Sequence, residues 1–291
     1  MKIIYGICQE MKKSIISYGF LACVMITWGL LFTVTGYYDT GTGKTYSVLE
    51  CMMMSKKMIN SDYAFSSIQM VSNISGGFFQ LFLPIIAAFP FMPNFCTERR
   101  SGLIRFTISR MGKWNYYFTK FLSAVLSGGF AVILGYFLYS IVIYLRFPSI
   151  SSYSSDCIDM VLGGSSELVI FLEGALGVFL YGMISVLLAF LLASFLKNKY
   201  LVTCIPFTLM YIYSIYLEKI AANSFGVEGK EKIYDLQTIL NPQTVCMVRF
   251  LKTGGQVNKP ILYALILQGI LMVITFCLFA FIMNRRCDSG E

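Results

Sequence analysis

Between residues 15 and 36 the chain carries no Asp, Glu, Lys or Arg. A run of that length, coiled as a helix, covers a hydrocarbon core roughly 30 Å thick, and it is longer than most strands or soluble core helices. Five further apolar runs follow at about 76–93, 116–145, 168–196, 200–217 and 261–283. Lipid offers no water to free N–H and C=O groups, so each run must satisfy its own backbone, which favours helices. The sequence therefore predicts an all-α integral membrane protein with six transmembrane helices, forming a single transmembrane domain over 1–291. Composition agrees: 57% of the residues are apolar and only 13% charged, about half the charged share of a soluble domain.

The run at 76–93 is interrupted by Pro84, Pro90 and Pro93. Each proline removes a backbone donor and kinks a helix, so neighbours or water must satisfy the freed carbonyls. Orientation follows from the basic residues. With both termini cytoplasmic, the inner segments hold Lys2, Lys12, Lys13, Arg99, Arg100, Arg105, Arg110, Lys113, Lys120, Lys197, Lys199, Arg285 and Arg286, opposed only by Glu10, Glu98, Asp288 and Glu291. The outer segments, 37–75, 146–167 and 218–260, are balanced in charge. The net charge of +8 thus reflects topology and anionic lipid, and nucleic acid need not be invoked.

Ile3, Ile4, Ile7 and Met11 recur at helical spacing before the first run, which predicts an N-terminal amphipathic helix lying along the inner surface. A cleaved signal peptide is the competing reading; the apolar run is longer than a typical signal core and no small-residue cleavage site follows it. The last outer segment, with Asn241-Pro242 between amphipathic runs and a glycine pair at 254–255, predicts short helices packed on the outer mouth.

Histidine is absent, which removes the commonest general base and a frequent metal ligand. The nine cysteines stand alone with no C-x-x-C pair, so they read as small apolar fillers, with at most one bridge among the outer Cys51, Cys157 and Cys246. No metal site and no cofactor of the chain's own is expected. Gly41-Thr42-Gly43-Lys44-Thr45 imitates the end of a phosphate-binding loop, but Tyr38 stands where its first glycine is required, and the string follows a span instead of a strand. It reads as a polar turn outside the bilayer.

The most informative stretch is "PNFCTERRSGLIRFTISRMGKWNYYFTKFLSAVLSGG", residues 93–129. Its charged residues cannot enter hydrocarbon, yet Leu103, Ile104, Phe106 and Ile108 suit no solvated loop. A short helix pressed on the inner face satisfies both, with a turn at Ser101-Gly102 and an aromatic, basic belt at 114–121 where the chain re-enters the membrane. A plain positive-inside loop is the alternative.

Through Glu98, Arg99, Gly102, Ser109, Arg110, Tyr117, Lys120 and Phe121 this stretch resembles the cytoplasmic loop of the ABC type-2 permeases, membrane subunits of ATP-driven exporters that carry no ATPase of their own. Two positions depart from that pattern: Leu103 stands where threonine commonly follows the glycine, and Met111-Gly112 replaces a turn proline. The resemblance implies that 94–115 is a coupling loop seated in a groove of a separate ABC ATPase, with Glu98, Arg99, Arg100, Gly102, Arg105, Ser109 and Arg110 as candidate contacts. It also implies ATP and Mg bound by that partner, and a second permease copy or paralogue alongside, in a plasma membrane, bacterial by analogy.

Within the spans Glu173, Gln80 and Gln268 are the candidate polar residues. A carboxylate at such depth costs on the order of 2.5 kcal/mol unless it finds water or a partner. Small residues, Ala124-x-x-x-Gly128 with Ser123, Ser127 and Gly129, and Gly174, Gly177 and Gly182, suit close helix packing. The expected function is export of an amphipathic substrate such as a peptide antibiotic, drug or lipid. An ion-gradient-driven secondary transporter and a non-transporting membrane immunity or sensor protein are the alternatives; no nucleophile and base pair supports an enzyme. The purified chain alone is expected to release no phosphate from ATP, and Lys44→Ala to change nothing; hydrolysis by wild type that disappears in this variant would reinstate the phosphate loop.

Overall fold

A computed structural model of the chain describes residues 2–74, 77–196, 198–223, 231–253 and 256–288. Lys197, Glu291 and the glycine pair at 254–255, named above, lie outside the described residues, as do the side chains of Lys2 and Asp288. Helix α1 (Lys2–Ile15) turns by 64° into α2 (Tyr18–Leu31). The turn is local chemistry: Ser17 Oγ accepts from Phe20 N at 3.1 Å, capping α2, and donates to Ser14 O at 2.6 Å. With 14 residues α2 is about 21 Å long, shorter than the predicted run 15–36.

The segment after α2 holds an antiparallel hairpin, β1 (Thr35–Asp39) and β2 (Lys44–Ser47), absent from the all-α expectation. Tyr37 and Tyr46 sit opposite one another across it, an aromatic pair that favours strand pairing, and Tyr37 stacks on buried Phe65 at 4.5 Å. Short helices α3 (Val48–Met53), α4 (Lys56–Ser61) and α5 (Ser67–Ser72) follow.

The predicted run at 76–93 is divided. Helix α6 (Gly77–Ile86) has 10 residues, about 15 Å, and ends before a turn at 87–91; α7 (Met92–Arg100) restarts with Pro93 in its first turn, where the missing N–H costs nothing. The carbonyl of Pro90, which no helix claims, accepts from Ser14 Oγ at 3.0 Å, and Ser17 Oγ, whose proton goes to Ser14 O, stands 3.4 Å from it. Gly19 permits this approach, because a Cβ there would stand 2.3 Å from Phe89 O.

Gly102, at φ +71°, reverses the chain between α7 and α8 (Leu103–Met111), and Gly112, at φ +85°, opens α9 (Lys113–Arg146). Helix α10 (Ser155–Leu162) precedes α11 (Glu167–Ala193) and α12 (Lys199–Ala222). Then come α13 (Glu231–Leu240), a 3-10 stretch Pro242–Leu251, a two-residue ribbon of β3 (Lys252–Thr253) and β4 (Gln256–Val257), and α14 (Lys259–Asp288). Helices α9, α11, α12 and α14 are long and apolar enough to cross a membrane, and α1 with α2 makes a fifth if the bent pair is one span.

Helix α9 is the axis of the fold, packing against α1, α2 and α11. Its small residues meet those of α11: a Cβ on Gly128 would fall 2.4 Å from Val186 Cγ2, and one on Gly182 would stand 3.2 Å from Gly129 Cα. The stripe read from the sequence is therefore internal packing. Gly177 plays the same part against the 3-10 stretch, where a Cβ would lie 2.8 Å from Cys246 O. The described cysteines, including Cys51, Cys157 and Cys246, are all free thiols. Gly128→Val is expected to lower the melting point in detergent by an amount equivalent to about 1–3 kcal/mol of overpacking, whereas Gly269→Ala, with nothing within 4 Å, is expected to leave it unchanged or raise it. Equal melting points for the two variants would contradict the packing.

Candidate functional site

The phosphate-loop imitation resolves first. Residues 40–43 form the turn of the β1–β2 hairpin, so strand, turn and strand replace the strand, loop and helix that phosphate binding needs. The amide of Gly41 donates to Asp39 Oδ1 at 2.9 Å and the Thr42 hydroxyl to Asp39 Oδ2 at 2.6 Å. These donors hold the Asp39 carboxyl below its ordinary range and are already occupied by an anion of the chain's own.

The charged segment after α6 is different. Glu98, on the last turns of α7, pairs with Lys13 of α1 and with Lys120 of α9, the latter at 2.5 Å from Oε2. Lys120 Nζ also lies 2.7 Å from Glu10 Oε2, and the rings of Tyr116 and Phe91 stand 5.7 and 5.9 Å from it. Two carboxylates and two ammonium groups from three helices thus form a neutral cluster around a lysine whose side chain is only 3% exposed. Burial alone would raise the Glu98 carboxyl; the two lysines outweigh it and hold it below the usual carboxylate range. Burial would likewise lower Lys13, and Glu98 reverses that, raising it. Beside the cluster Phe95 stacks on Phe190 at 5.7 Å, and Phe279 meets Phe190 at a tilt with ring centres 4.3 Å apart, joining α7, α11 and α14.

Arg99 turns the same way. Its guanidinium donates to the carbonyls of Ala193 and, at 3.1 Å, Leu196, closing the C-terminal end of α11 where orphan carbonyls and the helix dipole favour a cation. The remaining candidates behave otherwise. Arg100, Arg105, Ser109 and Arg110 are exposed, Arg100 at the end of α7 beside the clamped residues and the other three on α8 beyond the turn at Gly102. Arg100, Arg105 and Lys113, with Arg286 of α14, line a groove of about 800 Å³ floored by Ile104, Ile108 and Met283. Phe106, 72% exposed, stands at its edge.

The candidate list thus divides into residues that anchor the segment, Glu98 and Arg99, and residues that face outward. Lys13 and Glu10 were not on it. Both are visible in the sequence as charges of the N-terminal helix, but nothing in their spacing points to partners on α7 and α9.

Glu173, Gln80 and Gln268 do not converge. Half-buried Glu173 on α11 faces the positive field of Arg249 from the 3-10 stretch, whose guanidinium donates to Ser72 Oγ and to Val161 O at 3.1 Å. Burial lowers the pKa of Arg249 and Glu173 partly restores it. Gln80 is buried on α6, its backbone carbonyl accepting the Tyr181 hydroxyl at 2.8 Å. Gln268 is buried on α14. Among the described residues no three His, Cys, Asp or Glu side chains gather as a metal-holding group.

Lys120→Met is expected to destabilise the fold by up to about 3 kcal/mol, since half-buried Glu10 loses its cation and Glu98 keeps only Lys13. A depressed Glu98 contributes stability above its ordinary pKa near 4.3 that fades as pH falls further. A raised Lys13 contributes below about 10.4 and fades above it. Melting points measured across pH should therefore show a plateau between these values, with the acid slope flattened in Glu98→Gln; an unchanged acid slope in that variant would remove Glu98 as its origin. No protein-family model and no curated protein matches the chain.

Proposed function

We propose that the chain is the membrane-spanning permease subunit of an ABC exporter, driven by a separate ATPase that binds ATP and Mg. The observation that carries this reading is the division of residues 92–111: one side clamped through Glu98 and Arg99 to α1, α9 and α11, the other presenting Arg100, Arg105, Arg110 and Phe106. A lever must be rigidly attached to what it moves and exposed to what moves it. Two short helices joined at Gly102, the first of them held by the Glu98 ion pairs and the Arg99 hydrogen bonds, meet the first demand, and the cationic, apolar outer face meets the second.

In this reading α2 and the run of α6 through the turn at 87–91 complete six crossings with the four long helices, both termini and the α7–α8 hairpin lie in the cytoplasm, and α1 rests in the inner interface. The largely exposed apolar faces of α12 and α14 meet lipid and a second copy or a related permease. Cargo is an amphipathic molecule, a peptide antibiotic, drug or lipid, since the spans carry few polar side chains. The membrane is the plasma membrane, bacterial by the family analogy.

Co-reconstitution with candidate ABC ATPases tests this. Vanadate-sensitive hydrolysis should depend on the chain and fall roughly tenfold or more when Arg100, Arg105 and Arg110 are changed together to Glu, a coupling loss of about 1.4 kcal/mol. Hydrolysis indifferent to that triple reversal, or export that stops when the proton gradient is dissipated while ATP remains, would displace the exporter reading.

A further inference from the structure

At the end of the bundle away from the ion cluster, the last turns of α9 and the first turn of α11 enclose an open groove of about 760 Å³. Its walls are apolar: Phe137, Ile141, Tyr144 and Leu145 from α9, Leu168 and Phe171 from α11. Phe171 is its centre, 5.8 Å from the Phe137 ring and 6.4 Å edge-on from Tyr144. Two other side chains line it. The Ser140 hydroxyl is occupied, donating to Tyr136 O at 2.8 Å, which leaves the carboxylate of Glu167.

Glu167 has a single hydrogen-bond partner among the described residues, the Ser149 hydroxyl at 3.3 Å, and no Lys or Arg side chain in ion-pair contact. The basic residue nearest in sequence on α9, Arg146, is turned elsewhere, donating to Met52 O at 2.8 Å and Met54 O at 3.4 Å. The carboxylate stands in the first turn of α11, where the helix dipole favours its charge, and no cationic side chain answers it; beside aromatic rings it attracts one kind of molecule above others. A neutral lipid tail fills the apolar walls but leaves the charge unanswered, and an anion is repelled. A cation carried on an apolar body answers both, pairing with Glu167 while the faces of Tyr144 and Phe171 receive the remaining positive charge. The volume lies inside the range of about 300–1,000 Å³ that holds drug-sized ligands.

We infer that this groove binds a cationic amphiphile, a molecule with one positive head and an aromatic or branched apolar body, with Glu167 as its charge partner. Binding stands apart from ATP coupling; that the groove is a station for exported cargo rests on the exporter reading. The probe is radiolabelled tetraphenylphosphonium, a single positive charge inside an aromatic shell, added to the full chain in nanodiscs of zwitterionic phosphatidylcholine without any ATPase.

Wild type should bind it saturably at one site. Glu167→Gln should weaken binding about tenfold, equivalent to 1.4 kcal/mol, and Leu168→Lys, which sets a cation at the exposed mouth, should do the same. The neutral analogue triphenylphosphine oxide should be indifferent to Glu167→Gln. Melting points confirm that both variants fold. Absence of saturable binding to wild type, equal affinity in a folded Glu167→Gln, or binding of the neutral analogue that falls alongside the cation would overturn the proposal, the last by showing a packing effect in place of charge pairing. Because no ATPase is present, failure of the exporter reading leaves this measurement intact.

Discussion

Lys120 is the interaction on which the arrangement of one end of the bundle depends. An ammonium group this deeply enclosed is expensive to desolvate, and it is tolerated because Glu10 and Glu98 reach it from two different helices while two aromatic rings face it. The geometry has a structural corollary. Since α9 is the axis against which α1, α2 and α11 pack, a cation fixed on α9 dictates where α1 and α7 must lie. The position of the exposed arginine-bearing helix α8 follows from that of α7, through a single left-handed glycine.

Farther along α9 the controlling constraint changes from charge to volume. Helices in an apolar solvent gain little from hiding apolar surface, so their association relies on close contact. Gly128, Gly129 and Gly182 let α9 and α11 meet almost backbone to backbone, and Gly177 lets the 3-10 stretch press its carbonyl against α11. That stretch in turn brings Arg249 opposite Glu173, so the half-buried carboxylate of the fourth long run is answered from the chain between α13 and α14.

Much of this was legible in the sequence for reasons that can be named. The long runs at 116–145, 168–196, 200–217 and 261–283 announce themselves by length and composition, and each became one helix. The turn at Ser101-Gly102 was visible because only glycine adopts that backbone readily. The runs at 15–36 and 76–93 were read as continuous because hydropathy counts side chains and takes no account of where a serine caps a helix or a proline ends one. The hairpin at 35–47 escaped an all-α expectation because its signal, a tyrosine pair around a Gly-Thr-Gly turn, is short and lies beside a much stronger apolar run. Within the candidate site, charge type marked the segment, but which charges turn inward was not readable: Lys13 and Lys120 are far from Glu98 in sequence, and only the packing of α1 on α9 brings them together.

The Pro90 carbonyl gives the two irregular regions a common logic. The chain breaks at 87–91 and bends at Ser14–Ser17, and the break by itself would leave the buried Pro90 carbonyl without a helical donor. Placed side by side they offset one another, the Ser14 hydroxyl of the elbow serving as surrogate donor for an amide that the gap lacks. The two faults are therefore tied as a single joint. Neither can be straightened by evolution or by design without orphaning the other, so the kinked helix pair and the interrupted helix pair are bound to vary together.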